Sequence, residues 1–332
     1  MKAIELTSDK TFRQTEMPKP SPSKDGKELL VKVKYTALDT VVDYFLPKHN
    51  MGAAYVHDVK TKPLILGYHY IGTIVDKSAT VADLKVGDIV FGHLDYKPDQ
   101  KQGTLSEYII ATADECALAP KGVDETVVTA SSTECLTALQ ALRDEGKFQS
   151  GQRVLILGGG GAVGSAAVSI AKNLGASHVT AVCSKKDVDK VRQLGADVVI
   201  DRRQDKNWKS DDKLSKTFDL VFDASSSYSF MKDGRKWLKS GGTFVNAYPL
   251  IVEQIIFGWL WPLITGKKFK MVNVKVRAAD LDLLSDWLSS NKVDVLVDSV
   301  HPISKIDEAV KRHQNGNKKS GSRVVVKVDD GW

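Results

Sequence analysis

VLILGGGGAVGSAAVSIAKNLGA, residues 154–176, is the stretch that decides the fold of this chain. Its apolar start, Val154–Leu157, predicts a buried strand. After the glycines, small and apolar residues recur at helical spacing until Gly175 ends the helix. A second apolar run, His178–Cys183, follows at once. Strand, tight turn, helix and strand in this order predict the first unit of a parallel sheet wrapped by helices.

The turn carries a phosphate-binding pattern. Gly159, Gly161 and Gly164 fit G-x-G-x-x-G, and Ala162 and Val163 fill the last gap. Such glycines allow a tight turn, bring backbone N–H groups against a pyrophosphate, and let the helix pack closely on the strand. The helix N-terminus adds partial positive charge there. We therefore predict a dinucleotide site; the alternative is an ordinary tight turn between strand and helix.

The end of the second strand indicates which dinucleotide is bound. NAD-binding folds usually place an acid there to accept a hydrogen bond from the ribose 2′-OH. Here Cys183 is followed by Ser184, Lys185 and Lys186. Two cations and a hydroxyl suit a 2′-phosphate, so the sequence favours NADPH over NADH. The alternative is a solvated, lysine-rich start of the next helix.

Composition narrows the remaining possibilities. The 332 residues suffice for two domains, and the net charge of +6 is spread along the chain without a nucleic-acid motif. Cys116, Cys135 and Cys183 form no metal-binding or disulfide pattern, which fits a reducing compartment. No apolar segment resembles a signal peptide, and the most apolar window, residues 255–265, is too short to span a bilayer. We expect a soluble protein of the cytoplasm or of an organelle's matrix or stroma.

Two kinds of pattern divide the chain. The first 120 residues alternate apolar and polar positions in Lys27–Leu38, Ile71–Lys77 and Leu105–Ala111, which predicts a β-rich domain. From about Val123, strands and helices alternate, starting with a helix over Asp124–Arg143. The fold class is therefore α/β, with a parallel sheet and a β-rich domain. Other predicted elements are helices at 187–194, 228–238, 279–290 and 306–312, and strands at 198–200, 220–222, 243–245 and 323–328.

Five further segments carry a family resemblance. They are PLILGYHYIG (63–72), LKVGDIVFG (84–92), TECLTALQAL (133–142), QLGADVVID (193–201), and the tail made of residues 293–316 and 320–328. In this order they resemble the medium-chain dehydrogenase/reductase superfamily, and specifically its zinc-free branch of quinone oxidoreductases and alkenal/enone reductases. The tail is most similar to the plant and algal quinone-reductase-like enzymes.

The resemblance implies an architecture. A GroES-like domain, residues 1–123 and 271–332, would flank a Rossmann domain, residues 124–270, with a doubly wound parallel sheet. The family places its active site between the two domains, at the carboxyl ends of the Rossmann strands. It also implies a homodimer.

Zinc-dependent relatives supply Cys, His and Cys to the catalytic metal. The matching positions here are Asp39, Tyr68 and Thr133, of which the last two are poor zinc ligands. His69 stands where the family usually has an acid. Because two ligands without a third hold zinc poorly, we expect no metal at Asp39 and His69. The favoured interpretation of His69 is a hydrogen-bonded structural residue at a tight turn.

ALDTVVDYF, residues 37–45, resembles the family loop beside the nicotinamide. Tyr44 falls on the family tyrosine and can donate to a substrate oxyanion; the alternative is a core-facing aromatic residue. Asp39 replaces the family asparagine; when ionised, its carboxylate can accept a hydrogen bond from a ribose hydroxyl or the carboxamide but cannot donate one. Thr137 matches a threonine next to the cofactor, or else bonds its own helix backbone.

Further cofactor contacts follow from the same resemblance. Arg202 stands where the family often has Tyr, and its guanidinium suits a phosphate; the alternative is an exposed basic pair with Arg203. Asp223, Ser225 and Asn246 are expected on the nicotinamide side, and Arg323 where the family tail returns to the cofactor.

These features predict a zinc-independent, NADPH-dependent reductase of quinones or of the C=C bond of α,β-unsaturated carbonyls. The substrate would be an apolar enone, enal or quinone. The alternatives are an enoyl-thioester reductase on the same fold and a catalytically idle cofactor-binding or scaffold protein. The tryptophan-rich segment 249–270 is a candidate substrate lid, dimer contact, peripheral membrane contact (255–270) or buried helix.

Overall fold

A computed structural model describes residues 1–39, 56–225, 230–247, 266–315 and 320–332. Within these ranges the chain forms two compact units. The first comprises Met1–Thr133, Lys275–Ser290 and Val295–Trp332, and the second comprises Glu134–Val274 and Asn291–Asp294.

Elements are numbered along the described ranges. The strands are β1 (Lys2–Leu6), β2 (Phe12–Glu16), β3 (Glu28–Leu38), β4 (His69–Lys77), β5 (Ile89–His93), β6 (Tyr108–Thr112), β7 (Cys116–Leu118), β8 (Arg153–Leu157), β9 (His178–Cys183), β10 (Val198–Asp201), β11 (Phe218–Asp223), β12 (Leu238–Asn246), β13 (Lys268–Met271), β14 (Leu296–Pro302) and β15 (Ser322–Lys327). The α-helices are α1 (Glu125–Gln140), α2 (Ala162–Asn173), α3 (Val188–Gln193), α4 (Phe230–Trp237), α5 (Ala278–Ser289) and α6 (Ile306–Gln314).

The first unit is built on an antiparallel sheet, as its alternating sequence predicts. Strand order is β14-β15-β3-β4-β5-β7, with β6 also paired to β3, and only β14 and β15 run parallel among these pairs. Leu29, Val31 and Val33 of β3 are buried in one core. Because β3 pairs with three neighbours, it fixes the register of the strand ends on either side of it.

The second unit confirms the predicted parallel sheet. Its strands lie in the order β10-β9-β8-β11-β12-β13, and every pair is parallel. Val154–Leu157 is fully buried, as expected of a central strand covered on both faces. Gly175 has φ +88° and follows the last turn of α2, so it ends this helix in the left-handed conformation that glycine adopts readily.

The elements around residue 240 differ from the sequence prediction. Helix α4 ends at Trp237, and β12 begins at Leu238 rather than after the Gly241-Gly242 pair. Gly241 has φ +74°, and the register with β11 shifts between Phe218 and Leu220. The glycine pair therefore marks an irregularity inside a strand, which the sequence signal for a turn does not distinguish.

Candidate functional site

The glycine-rich turn is attached to the neighbouring strand by its backbone. The N–H groups of Gly158 and Gly159 donate to the carbonyl oxygen of Val182 at 3.0 and 2.9 Å. Gly158 has φ +83°, a conformation that strains any residue with a Cβ. The turn between β8 and α2 is therefore held against the end of β9.

The space available for a side chain differs between the glycines of the pattern. A Cβ on Gly164 would lie 2.1 Å from the carbonyl oxygen of Gly158, so α2 can approach the turn only without a side chain there. A Cβ on Gly161 would meet only that same oxygen, at 3.3 Å. Gly161 is exposed, and Ala162 and Val163 are half-buried. The first N–H groups of a helix have no partner within it, so this end of α2 offers donors to an anion.

Asp187 packs against the glycine-rich turn, a contact that the sequence does not reveal. Its side chain is buried, and a Cβ on Gly160 would lie 2.5 Å from its Oδ2 atom. From the sequence, Asp187 is simply an acid at a helix start. In the structure its carboxylate packs over the glycine-rich turn.

The basic residues predicted at the strand end lie together. Asp201, the last residue of β10, pairs in register with Cys183, the last residue of β9, and the N–H of Arg202 donates to the Cys183 carbonyl at 3.1 Å. Ser184, Lys185 and Lys186 follow Cys183, so the two adjacent strand ends carry Lys185, Lys186 and Arg202. All three cations are exposed, and within the described part of the chain none of them has an ion-pair partner.

Asp223, Ser225 and Asn246 lie at the same carboxyl edge. Asp223 pairs in register with Leu157 of β8 and with Asn246 of β12. Asp223 Oδ1 accepts from the N–H and the hydroxyl of Ser225 at 2.9 and 2.6 Å. Burial raises the pKa of Asp223 to about 6, although the bonds from Ser225 oppose that shift. Thr137 of α1 is also buried in this unit.

The remaining sequence predictions concern residues outside the described part of the second unit. Tyr44 and residues 249–265 lie outside the described residues, so their predicted roles stay predictions. Arg323 belongs to the first unit. No helix of the described ranges has both the length and the apolar character needed to cross a membrane.

The first unit gathers a second polar group at the ends of four adjacent strands. Val324 of β15 pairs with Leu38 of β3, which places Arg323 beside Asp39. His69, the first residue of β4, pairs directly with His93, the last residue of β5. Strands β15, β3, β4 and β5 are neighbours, so these four side chains form a row at one edge of the sheet.

His69 is hydrogen-bonded at both ring nitrogens. Its Nδ1 lies 3.0 Å from Ser132 Oγ, and its Nε2 lies 3.1 Å from Thr133 Oγ1. Nε2 is also 3.4 Å from Asp39 Oδ2. These contacts agree with the interpretation of His69 as a hydrogen-bonded residue.

Asp39 is held as a carboxylate inside the unit. Burial acts to raise its pKa. The hydrogen bond and charge of His69, the charge of Arg323 and the hydroxyl of Tyr96, which donates to Oδ2, together hold that pKa well below its ordinary value. Asp39 therefore stays ionised at neutral pH.

His93 is the residue of this group that sequence reasoning missed. It is 2% exposed, and neither ring nitrogen makes a hydrogen bond of ordinary geometry to a described residue, although the backbone of Leu94 acts on the ring. Its ring centroid lies 4.4 Å from that of Tyr96, 5.1 Å from that of His69 and 5.8 Å from that of Tyr68. Burial lowers its pKa to about 3, so the imidazole is neutral at neutral pH. An unsatisfied buried polar group costs about 1–3 kcal/mol.

Asp39, His69 and His93 are also the residues of this region able to hold a metal. One potential ligand atom from each lies within 4.8 Å of the others, and all three residues are buried. From the sequence we expect no metal here, because Asp39 and His69 alone are too few ligands. In the structure His93 supplies a third potential ligand. The family's other two ligand positions stay unsuited, because Thr133 offers a hydroxyl and burial keeps the pKa of the Tyr68 phenol far above its ordinary value.

Comparison with known proteins agrees with this architecture. Residues 25–121 match the family model of the alcohol dehydrogenase GroES-like domain, and residues 162–247 match that of the zinc-binding dehydrogenases. The quinone oxidoreductase from Coxiella burnetii has the same fold, with a TM-score of 0.80 and 22% identity over 99% of each chain. The predicted combination of a GroES-like domain and a Rossmann domain is confirmed.

Two relatives share more of the sequence. Trans-enoyl reductase pgmF of Aspergillus terreus (strain NIH 2624 / FGSC A1156) is 33% identical over 92% of this chain and 87% of its own. The chloroplastic NADPH-dependent alkenal/one oxidoreductase of Arabidopsis thaliana is 30% identical over 91% of this chain and 72% of its own.

We predict different effects of alanine at two glycines of the turn. Gly164→Ala should lower the free energy of unfolding by about 1–3 kcal/mol or more, because its Cβ collides with backbone. Gly161→Ala should change stability by less than about 0.5 kcal/mol but weaken dinucleotide binding, since the methyl group projects at the exposed edge. Urea unfolding and fluorescence titration with NADPH measure both. Equal destabilisation by the two changes would contradict this interpretation.

We also predict a pH-dependent gain in stability from Asp223→Asn. The folded protein disfavours ionised Asp223, so the wild type loses stability as pH rises from about 4 through 6. The variant should gain up to about 3 kcal/mol at pH 8 and nothing below pH 4, by urea unfolding at each pH. Asp219→Asn, which removes an acid paired with Lys239 in the same strand, is the control that should show no gain. A gain at pH 4 equal to that at pH 8 would refute the assignment.

Proposed function

Since this chain belongs to the medium-chain dehydrogenase/reductase superfamily and resembles its quinone oxidoreductases, we propose that it is a zinc-independent reductase that uses NADPH to reduce quinones or α,β-unsaturated carbonyls. As a member of this superfamily it is an oxidoreductase with a nicotinamide cofactor. The observation that carries the choice of NADPH is the group of exposed cations Lys185, Lys186 and Arg202 beside the glycine-rich turn.

The choice of NADPH rests on charge at the strand ends. A 2′-phosphate carries close to two negative charges and favours cations with hydroxyl donors. Lys185, Lys186 and Arg202 are exposed, and Ser184 stands between the end of β9 and the lysines. Asp187, the nearest following acid, is buried against Gly160, so the exposed residues directly after β9 are the two lysines.

The substrate class rests on the chemistry that the site must perform. NADPH supplies the hydride when it is bound. Hydride addition at a β-carbon or quinone ring develops negative charge on a carbonyl oxygen, which needs a donor nearby. We assign that role to Tyr44 through its match to the family tyrosine. Asp39 accepts hydrogen bonds and orients neighbouring donors such as Tyr96.

Zinc independence rests on the donor types at the family's ligand positions. Tyr68 stays a neutral phenol because burial raises its pKa, and the Thr133 hydroxyl bonds His69. Neither replaces a thiolate or imidazole. The proposed hydride transfer therefore runs without the family's catalytic zinc.

A second candidate is enoyl-thioester reduction. The relative named trans-enoyl reductase is 33% identical over most of both chains. Its reaction class also adds hydride to a C=C bond conjugated to a carbonyl, so the same residues would serve. We also propose that the protein forms a homodimer and is located in the cytoplasm or in an organelle.

An assay with a substrate panel tests this function. Protein stripped of metal ions by chelation should oxidise NADPH in the presence of enals, enones or quinones, as followed by NADPH absorbance. Enoyl thioesters in the same panel identify the second candidate. No turnover with any substrate would refute the enzyme proposal. Turnover that appears only when Zn²⁺ is restored would refute zinc independence.

Removing the lysines tests the cofactor proposal. The double variant Lys185→Ala/Lys186→Ala should raise KM for NADPH about tenfold or more, which corresponds to at least about 1.4 kcal/mol of lost charge-assisted bonding, and leave KM for NADH unchanged. Lys213→Ala/Lys292→Ala removes two other exposed lysines of the same unit and should change neither KM. Equal use of NADH by the wild type would overturn the assignment.

A further inference from the structure

The row of side chains at the end of β15, β3, β4 and β5 contains three donor atoms that face one another. His69 Nε2 and Asp39 Oδ2 lie 3.4 Å apart. Two ligands bound tetrahedrally to zinc at about 2.0–2.1 Å lie about 3.3–3.4 Å apart, so this pair already has the required separation. A nitrogen of His93 completes a set within 4.8 Å.

The sheet fixes these donors rather than a flexible loop. His69 and His93 are direct register partners on adjacent antiparallel strands, and Asp39 follows the last residue of β3, the strand on the other side of β4. Donors held by paired strands keep their separations, which favours binding of an ion without rearrangement of the backbone.

His93 points to a missing ligand. It is 2% exposed, and neither ring nitrogen makes a hydrogen bond of ordinary geometry within the described residues, although the backbone of Leu94 also acts on the ring. The surrounding rings of Tyr68, Tyr96 and His69 offer it packing. A bound cation would give one of these nitrogens the partner that the described protein groups do not supply.

The hydrogen bonds of His69 suit a ligand role. Ser132 Oγ lies 3.0 Å from Nδ1 and is itself buried, so it can accept a hydrogen bond from Nδ1–H in the tautomer whose Nε2 would bind a metal; without an ion, Nε2 faces Asp39 Oδ2 and Thr133 Oγ1. Metal-bound histidines usually donate their other ring N–H in this way, which fixes the orientation of the ring.

We propose that Asp39, His69 and His93 bind one divalent transition-metal ion of the Zn²⁺ or Co²⁺ class within the first unit. Two imidazoles and one carboxylate are a donor set that such ions accept, with water completing the coordination. The set differs from the Cys, His and Cys of zinc-dependent relatives, since only Asp39 stands at one of those positions. The hydride transfer proposed above does not require this ion.

The charge of Arg323 provides a second test, because the proposal predicts the direction in which its removal changes metal affinity. Its positive charge acts on the same carboxylate from β15 and competes with a cation for Asp39. Removing that charge with Arg323→Gln should therefore tighten metal binding several-fold. A purely structural role of the cluster predicts no such increase.

Titration with Co²⁺ tests the site directly. The full-length protein, stripped of metal, is titrated with CoCl₂ while the visible d–d absorption and the melting temperature are recorded. We expect about one Co²⁺ per chain, d–d bands typical of low coordination number, and a raised melting temperature. Zn²⁺ should displace Co²⁺ and abolish the bands.

Variants assign the bands to these residues. His93→Phe keeps an aromatic ring beside Tyr68 and Tyr96 and should abolish the d–d bands, as should Asp39→Asn. His301→Phe removes a half-buried histidine of β14 in the same unit and should retain them. Circular dichroism verifies folding, and Asp39→Asn carries the test if His93→Phe does not fold.

The absence of stoichiometric binding to the wild type would overturn the proposal, and so would bands that persist in His93→Phe. Metal binding is read without NADPH or substrate, so its failure is distinguishable from failure of the proposed reductase function. Protein that binds Co²⁺ but reduces nothing refutes only the function, and protein that reduces enones without binding Co²⁺ refutes only the ion.

Discussion

The contact between Gly164 and the carbonyl of Gly158 is the constraint on which the second unit depends. With any side chain at position 164, a Cβ would lie 2.1 Å from that oxygen, and α2 would have to move away from β8. The position of α2 decides where its first N–H groups point. Because the same turn is bonded to Val182 of β9, one close approach fixes the helix end that we propose binds the cofactor phosphates beside the strand ends that carry Lys185 and Arg202.

The local part of this arrangement could be predicted from the sequence. Strand β9 has the predicted limits, and β8 and α2 are close to theirs, because a short apolar run, a glycine cluster and a helical repeat are signals within a few residues. The strand order could not be predicted, since it depends on pairing between distant segments. The turn predicted at Gly241-Gly242 was wrong for a related reason. A glycine pair is typical both of a turn and of an irregularity inside a strand, and only the pairing with β11 distinguishes the two.

The same distinction explains the candidate site. Asp39 and His69 were recognisable one by one, because each replaces an expected residue in a motif. His93 comes directly after the motif LKVGDIVFG and carries no signal of its own. Its significance comes from its register partner His69, a relation that exists only once β4 and β5 are paired. Asp187 is a similar case, because its contact with Gly160 depends on how α3 and the turn pack.

Asp39 places a carboxylate in a buried position where zinc-dependent relatives have a thiolate. An ionised group there needs compensation, and His69, Arg323 and Tyr96 provide it without a metal. If the cluster served only to satisfy Asp39, His93 would not be needed, and an apolar ring would pack equally well against Tyr68 and Tyr96. An unsatisfied buried nitrogen costs about 1–3 kcal/mol, which is a considerable part of the roughly 5–15 kcal/mol stability typical of a folded protein. An ion shared by His93, His69 and Asp39 would offset that cost, which is why the histidine, rather than the carboxylate, is the strongest argument for the site.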